Sequence, residues 1–189
     1  MATAGKKISA VDIKELWYGK PSLVTEDLTG AALKTLLDGS SLKKVPNIHQ
    51  DTWTIEEAEA SQDSYKDQRN GLTYRRSAKS MGDVTFNWTI GQYDYATKAD
   101  FLGGEVSETG NTWKRSRESV EINMLLVALT EDDQYAVLPK ASISAREAQT
   151  DGAIGIGVVG TMQLPDNEAV CPEYWFDKSE VYPADSEEE

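Results

Sequence analysis

Alternation with a period of two dominates this chain. In Val84-Thr-Phe-Asn-Trp-Thr-Ile90, Val84, Phe86, Trp88 and Ile90 take one face and Thr85, Asn87 and Thr89 the other. That is the pattern of a half-buried strand. Residues 153–164 repeat it, with Ile154, Ile156, Val158, Met162 and Leu164 on one face and Gly155, Gly157, Val159, Thr161 and Gln163 on the other. Residues 121–129 become apolar on both faces after Met124, which predicts a central strand covered on both sides. Further strand patterns occupy 12–18, 51–60, 72–79, 134–144 and 173–177.

Helical spacing occurs twice. Leu28, Ala32, Leu33, Leu36 and Leu37 predict a helix over 28–37, with Gly39 placed to end it and Gly30 weakening its start. Asp94 can cap a short helix over 95–102, with Ala99 and Phe101 or Leu102 facing inward and Gly103-Gly104 as the stop. The predicted fold is mainly β: sandwich-like or barrel-like antiparallel sheets, one docked α-helix and one short helix. At 189 residues and 20.8 kDa the chain suits a single core, expected over residues 1–182 with an acidic tail at 183–189.

Charge sharpens this picture. The formal net charge is −13, against a general nucleic-acid-binding or membrane-surface protein, which needs a basic face. Residues 147–189 carry eleven acids and one base, Lys178, whereas residues 1–146 carry 21 acids and 18 bases. Within that nearly balanced body, Lys66, Arg69, Arg75, Arg76 and Lys79 crowd one stretch beside Asp67, and Lys114, Arg115 and Arg117 form a second cluster. Asn70-Gly71 is a turn signal, so residues 51–79 are expected to form a long hairpin with a polar, basic tip. No apolar run follows Lys6-Lys7, and no stretch reaches the ~20 apolar residues of a membrane span. The expectation is a chain kept in a reducing cytoplasm.

The residue inventory supplies no catalytic constellation. Cys171 is the sole cysteine and His49 the sole histidine, which excludes an internal disulfide, a cysteine-based zinc cluster and a multi-histidine metal site within one chain. His49 could act as a base oriented by Asp51, but no nucleophile stands at a recognised spacing. Gly155-Ile-Gly-Val-Val-Gly160 matches a dinucleotide-binding string. Here strand alternation runs through the glycines and Pro165 follows instead of a helix. The glycines are expected to mark a bend or a close backbone approach. Glu56, Glu57 and Glu59 read as an exposed acidic face, with Glu57 and Glu59 sharing one side, and Glu131-Asp132-Asp133 as a hairpin turn without calcium-loop spacing. No catalytic, cofactor or metal residue is assigned. What remains is an abundance of strands with a polar face, whose edges must be covered or used for assembly.

The run Val84–Ile90, followed by a short helix ending Ala99-Asp-Phe-Leu-Gly-Gly104, resembles phage major tail tube proteins. So do the start, with Leu16-Trp-Tyr-Gly-Lys-Pro21 before a helix, the long hairpin over 51–79, and the late strands 121–129, 134–144 and 153–164. The resemblance implies hexameric rings of identical subunits that stack into a tube. Strands from every subunit form the inner barrel through which DNA and the tape-measure protein pass. Expected partners are the chain itself, other tail proteins such as the tape-measure protein and sheath, and passing DNA without sequence-specific binding; no membrane is expected. The implied location is the virion tail, assembled in the bacterial host cytoplasm. Polar strand faces such as Thr85/Asn87/Thr89 and Thr161/Gln163 could line the lumen. Arg69, Tyr74, Arg75 and Arg76 are the expected subunit-interface residues, on a base-rich hairpin in an acidic protein.

Three rivals stand beside this reading. The related ring protein of type VI secretion shares the pattern. A small β-sandwich module binding a peptide or glycan would use Trp53, Tyr74 or Trp113 as platforms. A hydrolase would need His49.

Overall fold

The computed structural model describes Ile8 and residues 12–183. The predicted tail at 183–189 therefore lies, beyond residue 183, outside the described residues. In chain order the elements are β1 (Ile13–Gly19), a single 3-10 turn at Pro21–Leu23, α1 (Gly30–Asp38), β2 (Lys43–Lys44), β3 (Thr54–Glu57), β4 (Ser64–Lys66), β5 (Thr73–Arg76), β6 (Val84–Ile90), α2 (Tyr95–Leu102), β7 (Glu105–Val106), β8 (Trp113–Lys114), β9 (Ile122–Thr130), β10 (Gln134–Thr150), β11 (Ala153–Met162), β12 (Tyr174–Asp177) and α3 (Lys178–Val181). The fold is mainly β and antiparallel throughout, a sandwich-like arrangement with few helices.

The main sheet runs β2-β1-β9-β10-β11-β6-β3, with β12 also on β10. β10 is long enough to pair β12 and β11 in succession. Its first part pairs β12 through Gln134–Val137, and its second pairs β11 from Ala141 to Thr150. Between them, at Pro139-Lys140, the register with β9 shifts. Proline has no amide to give a ladder, so the break falls where the strand changes partner.

β9 is the two-sided strand that its apolar run predicts. Met124, Leu126 and Ala128 enter one core and Leu125, Val127 and Leu129 the other. The inner core joins Leu16 and Tyr18 of β1 to Phe86, Trp88 and Ile90 of β6 and Ile156 and Val158 of β11, and α2 closes it with fully buried Phe101. The outer core places Leu33 of α1 and Val181 of α3 against β9 and β10. The predicted docked helix thus lies outside the sheet. Thr29 caps it, its hydroxyl accepting from the Ala32 amide, and Asp94 caps α2 by accepting from the Thr97 amide at 2.7 Å.

One side of the sandwich is sewn shut. Residues 45–49 run from β1 to β6: the Val45 amide donates to the Leu16 carbonyl, Ile48 bridges Ile90, and the His49 amide donates to the Thr89 carbonyl. β3 continues this stitched margin along β6, and β3 and β12 each keep one edge unpaired among the described residues.

Two of the three glycines of residues 155–160, Gly155 and Gly160, mark close approaches, whereas Gly157 has room for a Cβ in ordinary contact. A Cβ on Gly160 would sit 2.6 Å from Leu126 Cδ1, and one on Gly155 would sit 2.7 Å from the Ile90 carbonyl oxygen. Two expectations change. The partner of the strand at 51–60 is β6, with Thr54–Glu57 opposite Val84–Asn87, and not residues 72–79. The hairpin therefore closes later, and β4–β5 form a separate two-stranded arm beyond the Ser61–Ser80 bridge. In addition, β10 continues to Thr150, six residues past its apolar run, and α3 and the short β2, β7 and β8 carry no sequence pattern strong enough to announce them.

Candidate functional site

Four strands, β10, β11, β6 and β3, present one continuous polar face. Register brings Ser142, Thr161, Thr85 and Glu56 into one row, Ser144, Val159, Asn87 and Thr54 into the next, and Arg146, Gly157 and Thr89 into a third. Side chains paired across antiparallel strands lie on the same side of the sheet. Asn87 Nδ2 donates to Thr54 Oγ1 at 2.9 Å, and Thr85 Oγ1 donates to the Glu56 carbonyl at 3.3 Å. A concavity of about 530 Å³ opens on this face over Asn87, Thr89, Ser144 and Arg146. Across three rows the only ionic side chains are Arg146 and Glu56. The face is hydrophilic yet nearly uncharged.

Both edges of this sub-sheet are open. β3 pairs only with β6, and β10 loses β9 beyond Ile143, leaving its margin from Ser144 to Thr150 unpaired among the described residues. Such margins carry unsatisfied amides and carbonyls that template another strand.

Side chains distant in sequence hold the projecting β10–β11 hairpin. Lys98 of α2 pairs with Glu147, and Arg115 reaches the other oxygen of that carboxylate at 3.3 Å. The Trp113 ring lies against both cations, 4.3 Å from Lys98 Nζ and 5.3 Å from the Arg115 guanidinium carbon, while its indole N–H donates to the Gly103 carbonyl at 2.9 Å. The Lys98 hydrogen bond and charge hold the Glu147 carboxyl below its ordinary range. At the hairpin tip Asp151 and Gly152 both have positive φ, 50° and 83°, the geometry of a tight two-residue turn. His49 Nε2 lies 2.9 Å from Asp151 Oδ2 there. Asp51, the orienting partner expected for His49, is replaced by a carboxylate 102 positions away.

The predicted interface residues lie on the arm. Arg75 stands opposite Tyr65 and Arg76 opposite Ser64, Tyr74 sits at the register shift, and Arg69 occupies the tip. All four are exposed, Tyr74 at 70%. Arg69 leans on Asp67 at 3.4 Å, whereas Lys66, Arg75, Arg76 and Lys79 form no ion pair with a described residue. The arm thus carries four bases without an ion pair among the described residues.

Of the three aromatic platforms named from the sequence, Tyr74 alone stands free. Trp53 packs edge-on against Phe86 at 5.3 Å, and Trp113 lies against two cations. Glu56 and Glu57 are on β3, but Glu59 follows its end, so Glu57 and Glu59 do not share a strand face. Glu131-Asp132-Asp133 is the β9–β10 turn, with Asp133 held by Lys14 at 2.8 Å. Cys171 is exposed as a free thiol. Among the described residues no group of three or more His, Cys, Asp or Glu side chains could hold a metal, and no helix is long and apolar enough to cross a membrane. No protein-family model and no curated protein matches the chain.

The Lys98–Glu147–Arg115 clasp was invisible in the sequence. Its carboxylate is 49 residues from Lys98 and 32 from Arg115, separations at which no periodicity operates.

Proposed function

We propose that this chain is a structural, self-assembling subunit of a phage or prophage tail tube, without catalysis. Identical copies join margin to margin into rings, hexameric in the family it resembles, and the rings stack into a tube. One observation carries the reading: a four-stranded sheet that pairs a hydrophilic, nearly uncharged face with two open edges. An open edge costs little if identical copies complete it, and ring closure leaves no edge behind. A wall facing passing DNA should be wetted but not cationic, because lysine and arginine would hold phosphates. The Thr85/Asn87/Thr89 face comes near that requirement, with Arg146 as its one cation and Glu56 as its one anion over three rows. Partners are then the chain itself, other tail proteins such as the tape-measure protein and sheath, and DNA in transit; the working location is the virion tail.

Negative-stain images of the full chain across a concentration series test this. Rings and stacked tubes support it. A chain that remains monomeric at millimolar concentration refutes it, and rings that stack only loosely identify the secretion-ring variant of the same assembly.

A further inference from the structure

Arg146 is the one cation on the hydrophilic sheet face. It is exposed and forms no ion pair with a described residue. Register sets it opposite Gly157, and Gly157 opposite Thr89. Gly157 carries no side chain, so the row dips between its two neighbours; a Cβ there would find Ala148 Cβ at 3.4 Å. This dip belongs to the concavity of about 530 Å³, a volume within the ~300–1,000 Å³ of built binding sites. Two hydroxyls join the guanidinium there. Ser144, one row away on β10, is exposed and makes no hydrogen bond to a described residue through its side chain. Thr89 is only 9% exposed, yet its hydroxyl has no partner among the described residues and is not sealed from solvent. A hydroxyl so deep is ordinarily bonded to protein. The Thr89 methyl group is taken up by Gly155, where an added Cβ would lie 2.9 Å from Thr89 Cγ2. No residue lining the concavity is acidic. The neighbouring Glu147 pairs with Ile156, so it faces the core side of the sheet, where Lys98 and Arg115 hold it.

Donors without acceptors, around a positive charge without a negative one, make a site for an oxyanion. The planar fork of arginine matches a carboxylate or a phosphate with two parallel bonds. The number of cations decides between them. Duplex DNA is held by many cations at once, because affinity grows with the number of phosphates neutralised. Three rows of this face carry one cation, in a chain of net charge −13. An acidic side chain brings a single carboxylate, which one guanidinium and two hydroxyls can satisfy. We propose that Arg146, Ser144 and Thr89 form a carboxylate-binding site that takes an aspartate or glutamate side chain of a polypeptide lying on this face. The inference deepens the tube reading and rests on it for its setting: each copy grips one acid of a protein in the channel and leaves duplex DNA unheld. A single forked contact is weak and quickly reversed, so the gripped chain remains free to move on.

The test is an NMR titration of the dilute, unassembled full chain at physiological salt, following the Arg146 side-chain N–H and the Gly157 amide. The probe is the blocked peptide acetyl-Ala-Glu-Ala-amide; its controls are acetyl-Ala-Gln-Ala-amide and a short DNA duplex. The Glu peptide is expected to shift both signals with a Kd of about 1–10 mM, and the Gln peptide to bind about tenfold more weakly. Arg146→Gln should abolish the difference between the peptides. Arg146→Lys, which keeps the charge and loses the fork, should weaken the Glu peptide about three- to tenfold. Thr89→Val, which replaces the hydroxyl by a methyl group, should weaken it about threefold. Unchanged melting temperatures establish that the variants fold. Equal affinity for the Glu and Gln peptides overturns the proposal, as does Glu-peptide binding that survives Arg146→Gln. A duplex that shifts the same signals at lower concentration than the Glu peptide also overturns it, since the oxyanion is then a phosphate. Each of these failures leaves the tube reading standing. A chain that binds the Glu peptide as expected yet forms no rings in the concentration series removes the tube reading and keeps the carboxylate site.

Discussion

Gly30→Ala separates helix propensity from tertiary packing in this protein. Gly30 is the first residue of α1, behind the Thr29 cap. In an isolated helix, Gly→Ala would gain up to about 1 kcal/mol. Here an added Cβ would lie 2.4 Å from the Glu180 carbonyl oxygen, 2.9 Å from its carbonyl carbon and 3.0 Å from its Cγ. Ordinary carbon–oxygen contacts begin near 3.3 Å, so α3 must retreat by about 1 Å. It has little freedom to do so: Val181 is fully buried, and Tyr182 Oη donates to Asp38 Oδ1 at 2.8 Å. Overpacking of this kind costs about 1–3 kcal/mol, and unseating Val181 forfeits a further ~1.5–3 kcal/mol of burial. The net expectation is a loss of about 1.5–5 kcal/mol, which lowers the melting temperature by roughly 3–20 °C for a chain of this size. Thermal and urea unfolding of the full chain measure it. Ala31→Gly, on the exposed side of the same helix, is the control and should cost about 1 kcal/mol. If Gly30→Ala raises the melting temperature, the α1–α3 packing described here is wrong.

Glu147→Gln removes the acid that both Lys98 and Arg115 hold. Solvent screening limits the expected loss to about 1 kcal/mol, with faster protease cleavage within 105–120; an unchanged cleavage rate would argue against the clasp. Ser144→Lys/Val159→Lys adds cations to the hydrophilic sheet face at exposed positions and should shift stability by no more than about 0.5 kcal/mol. Assembled protein carrying it should retain duplex DNA at low salt and release it as salt rises; DNA retention equal to the native assembly's would mean that this face does not line a channel. Stability should also fall at both ends of the pH range. The carboxyls of Asp94, Asp133 and Glu147 are held below their usual values by the Thr97 amide, Lys14 and Lys98 respectively. Their contribution is present above the ordinary ~4 and lost as pH falls through the lowered values. Burial, reinforced by Asp100, raises Tyr18, and burial with Asp38 pushes Tyr182 up to about 12. The folded chain resists an ionisation that the unfolded chain undergoes near 10, so stability should decline above about pH 10. A melting temperature that does not fall below about pH 4 would contradict the carboxyl assignments, and one that does not fall above about pH 10 would contradict the tyrosine assignments.

Much of the architecture was legible because local periodicity and burial coincide. The run 121–129 declared a two-sided strand, and β9 does divide two cores. Thr29–Asp38 and Asp94–Gly103 hold the two expected helices. The alternation at 84–90 assigned Phe86 and Trp88 to the interior and Asn87 to the hydrophilic face. The last third of β10 was not legible, since Arg146, Glu147 and Gln149 show no apolar alternation; its strand form depends on β11 beside it and on Lys98 and His49 from elsewhere. The hairpin base was mispaired because an Asn-Gly turn marks where a chain reverses without fixing how far pairing extends below it.

By itself, then, the order of residues determined the strongly periodic strands and the two longer helices, the inward side of runs such as 84–90 and 121–129, and the concentration of bases at 66–79, since all three depend on near neighbours in the chain. Only the tertiary structure decided that β10 pairs both β12 and β11, that residues 45–49 stitch β1 to β6, and why Gly30 must lack a side chain. Those features arise from contacts between segments many tens of residues apart, where three-dimensional closeness has no counterpart in sequence spacing.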